Sequence, residues 1–406
     1  MQQPDARMNR PVRHCGRRLS SIATACLLIA VAVDPATADR LTGVGGNVIE
    51  DTVVAIAGGY ITLSNATMAL DDVWQIVHAP AASAADLTME RVILQQGEIP
   101  ARAITLEGGV CRFGWDGGQG GGVPRAAIRA LVFEAGAGPG AREALARVLD
   151  KRPATDQVLA LGPDNAPLPI AGAIAGISTH AVAMNYQGQN RSIARSRVCA
   201  AVLAGTGTVA RVALPWKVVT AGGAWIESAD ARLAGERLTV DIGDGTLDIP
   251  WARVSRLEYR GRRLRFLSEL DPVGAVQDAI VTLPLPWQRN RNVMGEPLQL
   301  QGETRDRGLG MHAPSELVFN LPEKARRFLA AVGLDERYGR KGDCVVLVLS
   351  GDREMFRGRL RGGEAPLAVD VELQTGGRLT VRAEAGENHD LGDHVNWYDA
   401  RLLFDP

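Results

Sequence analysis

Between residues 45 and 265 apolar and polar positions alternate in short runs, as in Leu238-Thr239-Val240-Asp241-Ile242 and Ala181-Val182-Ala183-Met184-Asn185-Tyr186. A period of two gives a strand one buried and one wet face. A polar or Gly-containing turn follows each run, and then a motif recurs. Val123-Pro124-Arg125-Ala126-Ala127-Ile128-Arg129-Ala130-Leu131 lines up with Ile249-Pro250-Trp251-Ala252-Arg253-Val254-Ser255-Arg256-Leu257. Ile193 to Val198 follows the same scheme, and Met68 to Ile76 follows it more loosely. The pattern predicts three to four copies of a small β-meander. One meander has too little core to stand alone, so the copies must pack together as a sandwich or barrel. Pro in the motif lacks an N–H, which places it at a strand start or an edge.

Helical spacing is confined to Ala141–Leu149, a run of good helix formers after the Gly-rich stretch 136–140; it reads as a connector between copies. The texture changes again at 265–280, and from there the earlier motif does not return. The expected organisation is therefore all-β: a repeat region over 45–265 and a distinct domain over 275–406. With 46 Gly and 21 Pro, the composition suits many strands joined by turns.

Arg10, Arg13, Arg17 and Arg18 precede an apolar run from Ile22 to Val33, and Ala36-Thr37-Ala38 follows it. This is the order of a signal peptide over residues 1–38, cleaved near Ala38, which predicts export to the periplasm, the cell surface or the medium. The apolar run is too short to span a bilayer, so no transmembrane segment is expected in the mature chain. Cys15 and Cys26 would leave with the signal. Cys111, Cys199 and Cys344 remain, each among apolar residues, and they read as small buried hydrophobes. A formal net charge of −1 removes any general electrostatic case for nucleic acid as a partner.

Residues 287–404 carry a distinctive series of landmarks. Trp287, Asn290 and Asn292 come first, then Gly295-Glu296-Pro297-Leu298 and Gly308-Leu309-Gly310-Met311-His312-Ala313-Pro314-Ser315. Phe328 to Glu336 follows, and the series closes on Asp393-His394-Val395-Asn396-Trp397-Tyr398-Asp399-Ala400-Arg401-Leu402. This segment resembles the NPCBM domain, a carbohydrate-binding module family found beside many glycoside hydrolases. The resemblance implies a galactose-binding-like β-sandwich of jelly-roll type. It also implies recognition of galactose-containing glycans and, in some relatives, a bound calcium ion. Met311 and Asn396 depart from the family's usual choices at their positions.

Sugar recognition needs an apolar ring face for stacking and a few fixed polar groups for hydroxyls. His312, Glu336, Tyr338, His394 and Trp397 have those chemistries and are the candidate carbohydrate contacts. His394 and Trp397 are three residues apart, so they cannot share one face of a regular strand, and one of them must be structural unless the segment loops. Trp287 reads as core or interdomain packing. No organic cofactor is expected; for a structural calcium ion, Asn292 and Asp399 are the candidates, because such jelly rolls bring the first loop beside the last strand.

A glycosidase needs two carboxylates facing each other across a cleft, and no motif marks such a pair. There is no Gly-x-Ser-x-Gly elbow and no His-Glu-x-x-His cluster. The leading expectation is thus an exported, non-catalytic protein that binds a glycan or polysaccharide. One alternative is an assembly protein of the cell envelope that uses the jelly roll for protein contacts. Another is a glycoside hydrolase within 45–265.

Overall fold

The computed structural model describes residues 38–78, 90–115, 118–119, 122–205, 214–374 and 376–405. The basic and apolar stretches of the expected signal peptide lie outside these residues. Among the described residues the regular structure is strand apart from short 3₁₀ turns and one α-helix.

The meander expected from the motif is one part of a larger unit. In the first copy, strand Asp39–Gly43 pairs with Val48–Asp51, which runs on after a bend into Val53–Ala57. Tyr60–Leu63 and Thr67–Ala69 complete the meander. A 3₁₀ turn, Leu70–Asp72, then leads into the closing strand Val73–Val77, which pairs back onto the opening strand. Five strands in this order, with the last closing on the first, make a small barrel of SH3-like topology. Among the described residues the unit occurs four times. The 3₁₀ turns Arg125–Ala127, Arg195–Arg197 and Trp251–Arg253 mark the other copies, and they are the recurring motif itself. In every copy the same closing-strand position faces the opening strand: Ile76 opposite Leu41, Leu131 opposite Val92, Ala201 opposite Val158, and Leu257 opposite Val218. All eight side chains are buried. Pro124 and Pro250 end strands that pair on one side only, where no ladder needs their missing N–H.

The copies associate in pairs. The second and third join through their closing strands, centred on Leu131 opposite Ala201, and the first and fourth do so centred on Ile76 opposite Leu257. The same position lies at the centre both times, which relates the members of each pair by a pseudo-twofold axis. In the second–third pair the relation extends to side chains. Arg125 reaches across to Asp156 and the Ile174 carbonyl, and Arg195 reaches back to Glu90 and the Ile104 carbonyl. The helix Pro139–Lys151 lays Ala141, Leu145 and Val148 on the sheet these strands form, against Ala130, Val132, Leu159 and Ala200. Cys111, Cys199 and Cys344 are buried free thiols, and burial pushes Cys111 up to about 12.

The final domain begins earlier than the expected residue 275. Strand Leu264–Phe266 already pairs with Arg401–Leu403 of the last strand. From there two antiparallel sheets face each other. One runs Gln288–Arg289, Gly308–His312, His394–Phe404, Ala325–Leu334, Leu367–Glu372. The other runs Gly274–Gln277, Ser315–Asn320, Arg378–Ala385, Asp343–Ser350, Arg353–Arg361. Leu309, Met311, Phe319, Phe328, Val346 and Trp397 are among the side chains that fill the space between them. This is the jelly-roll sandwich that the sequence implied. Trp287 packs against its core rim, with the Arg289 guanidinium over the ring. Val44 and Trp74 of the first barrel join Leu264, Phe266, Leu329 and Leu403 in a separate apolar cluster at the seam, and Lys217 pairs with Asp306 across it at 2.8 Å.

Candidate functional site

The last strand explains most of the site. Val395 and Trp397 point into the core, so His394, Asn396 and Tyr398 point away from it. Two loops cover that outer face, residues 291–297 and 335–340. The first lies directly on the sheet because position 310 is Gly. A Cβ there would come within 2.5 Å of the Arg291 carbonyl oxygen.

Asp335 ties the loops to the strand. Its carboxylate accepts from Asn292 Nδ2 and Asn396 Nδ2, and from the Arg337 and Tyr338 backbone N–H groups, each at 3.0 Å. Only 4% of Asp335 is exposed. Burial by itself would raise its carboxyl, but the four donors hold it below the ordinary value. Asn292 is equally committed, since its Oδ1 accepts from the Met294 and Glu296 N–H groups.

A cavity of about 400 Å³ opens above this framework, lined by Glu296, Gln299, Glu336, Arg337 and Arg340 with Asn292 and Asp335 at its base. Glu296 forms one wall. It accepts from the Tyr338 hydroxyl at 2.7 Å and from Arg337 at 2.9 Å. Glu336 forms another and stays exposed, its carboxylate 3.3 Å from the Gly302 N–H. Behind Tyr338, His394 stacks on the phenol ring at 5.8 Å, and His312 stands edge-on to His394 at 5.1 Å. Burial lowers both imidazoles below their ordinary value, so they are neutral at physiological pH.

The five candidate contacts therefore separate. Glu336 lines the cavity, Tyr338 braces its wall, and His394 backs the Tyr338 ring. Two readings are corrected. Trp397 is 0% exposed and packs in the core beside Phe328, so its ring offers no face to a ligand. His312 is 2% exposed and lies under His394, out of reach of solvent. The two calcium candidates lie apart. Asn292 spends both ends of its amide inside the protein, and Asp399 lines a different cavity, at the seam with the barrels. No group of three or more His, Cys, Asp or Glu among the described residues is placed to hold a metal ion. Sequence reasoning did not select Glu296, Gln299, Arg337 or Arg340. Glu296 sits in one of the family landmarks, but nothing in the spacing says that it meets residues 337 and 338.

A two-sheet jelly roll with a polar, loop-built cavity outside one sheet has the architecture of a ligand-binding module. Comparison with known proteins makes that class specific: residues 264–403 match the model of the NPCBM/NEW2 domain family, a carbohydrate-binding module. A Renibacterium salmoninarum protein named "Putative endo-alpha-N-acetylgalactosaminidase" is 26% identical over 110 residues, which are 27% of this chain and 7% of that protein. Among solved structures, the CBM51 module of Clostridium perfringens GH95 in complex with methyl-galactose is 25% identical. It covers 34% of this chain and 99% of its own, with a TM-score of 0.32. The tandem CBM51 modules of the family 98 glycoside hydrolase from Streptococcus pneumoniae are 12% identical, covering 90% of this chain and 88% of theirs, with a TM-score of 0.31.

Proposed function

We propose that this is an exported, non-catalytic glycan-binding protein whose C-terminal module takes galactose-containing saccharides at the 335–340 cavity while the four barrels hold and present it. One observation carries the reading: buried Asp335, with its four donors, fixes two loops so that Glu296, Glu336, Arg337 and Arg340 converge on one accessible hollow. Carboxylates and guanidinium groups held in place match the vicinal hydroxyls of a hexose, and preorganisation saves the entropy of ordering them on binding. Glu296 is already bonded to Arg337 and Tyr338, which suits a hydroxyl acceptor better than a general acid. The hydrolase name of the Renibacterium relative rests on a protein of which this match spans 7%.

Calorimetric titration of the chain with galactose, lactose and a galactan oligosaccharide tests the proposal. Glu336→Gln and Arg340→Ala should each weaken binding about tenfold, the worth of one charged hydrogen bond, without moving the thermal transition. If no galactoside binds, or if both variants bind as the parent does, the assignment is wrong.

A further inference from the structure

A second cavity, of about 630 Å³, lies where the first and fourth barrels meet the module. Arg40 and Trp74 reach it from the first barrel, Arg256 from the fourth, and Arg305, Asp399 and Arg401 from the module.

The last strand supplies three of the reasons to regard this cavity as built. It carries a bulge: Tyr398 faces Ala331 and Arg401 faces Leu329, so three steps on one strand oppose two on the other. The extra residue changes which side chains point inward. Val395 and Trp397 fill the core before the bulge, Ala400 and Leu402 after it, and Arg401 is turned outward to the seam. Asp399 holds a φ of 49°, a left-handed conformation that costs a non-glycine residue energy and is kept where a side chain must be aimed. Arg401 is then 7% exposed, its guanidinium lying over Trp74 and bonded to the Val44 and Asp399 carbonyls at 3.1 Å.

Ion pairs reach two of the four arginines that line the cavity. Arg256 is met by Asp306 and Glu258, and Arg305 by Glu303 at 2.8 Å with Asp399 at 4.0 Å. Among the described residues, neither Arg401 nor Arg40 has a carboxylate within ion-pair distance. Burial raises the Asp399 carboxyl and lowers the Arg401 guanidinium from their ordinary values, and Asp399 and Asp370 act on Arg401 only from beyond ion-pair distance. A buried guanidinium with no carboxylate in direct contact is costly, and an anion in the cavity would offset that cost. Thr42, Gln75 and Ser255 line the same space and supply hydroxyl and amide groups.

We propose that this cavity is a second binding site, taking the anionic group of an acidic saccharide, a carboxylate or a sulfate ester, with Arg401 and Arg40 holding the charge. The saccharide part of the inference rests on the proposed function; the anion part rests on the arginines alone. Carboxylate and sulfate share this chemistry, since both accept from a guanidinium fork.

Titration of the full chain with trigalacturonic acid, galactose 6-sulfate and unsubstituted galactose tests it. At least one acidic probe should bind, and raising the salt should weaken it; whichever probe binds tighter identifies the group. Arg40→Gln and Arg401→Gln should each weaken that probe about tenfold and leave unsubstituted galactose unchanged. Arg40 is exposed, so its variant remains informative even where the buried Arg401→Gln chain does not fold. The proposal is overturned if neither acidic probe binds, or if Arg40→Gln binds as the parent does. It is equally overturned if Glu336→Gln, and not Arg40→Gln, removes acidic binding. Loss of galactose binding alone would count against the proposed function and not against this site.

Discussion

Replacing Asp335 by Ala removes the acceptor for four donors at once. Two are the amides of Asn292 and Asn396, and two are the Arg337 and Tyr338 N–H groups. A hydrogen bond to a charged group contributes about 1.5–3 kcal/mol, and a buried donor left unmet costs about 1–3 kcal/mol. The four share one site and water can enter it, so the losses do not add; a total of about 3–5 kcal/mol is expected. The barrels and the module have separate cores, so unfolding need not be two-state, and a local probe is the right one. Amide hydrogen exchange at residues 308–312 and 394–398 should lose protection by about two to four decades, at about 1.4 kcal/mol each. Galactoside binding should fall with it, because both cavity walls lose their anchor. The acid limb gives an independent sign. The folded Asp335 carboxyl lies below its ordinary value, so its contribution is complete above the unfolded value of about 3.9 and is lost as pH falls through the lower folded value. The variant should therefore show a shallower loss of protection on acidification than the parent. Protection within tenfold of the parent at neutral pH would refute the argument that Asp335 holds the loops.

Trp397→Ala should lower the stability of the module by about 3–5 kcal/mol in denaturant titration, while the fraction still folded binds galactosides as before. Asp393 points the other way. Its buried carboxyl is pushed up to about 7, chiefly by desolvation, so its folded form favours the proton and stability is lost as pH rises from about 4 through 7. Asp393→Asn should raise the melting temperature at pH 8, by a stabilisation of about 1–2 kcal/mol after allowance for screening, and have little effect at pH 4. Arg195→Ala would leave Glu90 and the Ile104 carbonyl of the second barrel unmet, and the Ser178 carbonyl of its own. It should cost about 3–5 kcal/mol, read as separation of that pair's unfolding transition from the rest in calorimetry.

The repeat was legible as a motif because its residues have local jobs. Pro ends a strand, the next three residues turn, and an apolar run follows. The count of strands was less legible. The opening strand of each copy and the first half of its bent strand carry no recurring signature, only apolar alternation that any strand would show, so the five-stranded barrel looked like a meander. The pairing of copies was not legible at all. It rests on Leu131 meeting Ala201 and Ile76 meeting Leu257, contacts between residues that no spacing relates. In the module, the order of landmarks carried the jelly roll, and Glu336 was selected for its chemistry alone, as an acid able to meet a sugar hydroxyl. Trp397 and His312 were misplaced for one reason: an aromatic or imidazole beside a turn looks the same in sequence whether it faces a ligand or the core.

By itself, then, the chain determined its class of secondary structure, its division into a repeated half and a jelly-roll module, and the resemblance of that module to the NPCBM domain, because each rests on residues close together in sequence or on an ordered series of them. Tertiary structure decided everything that depends on facing: which side of the last strand Trp397 and His394 occupy, which acids and arginines converge above Asp335, and where the bulge at Asp399 sends Arg401. A strand shows one face or the other according to parity, and a single extra residue reverses that parity for all that follow, which no local reading of the sequence can detect.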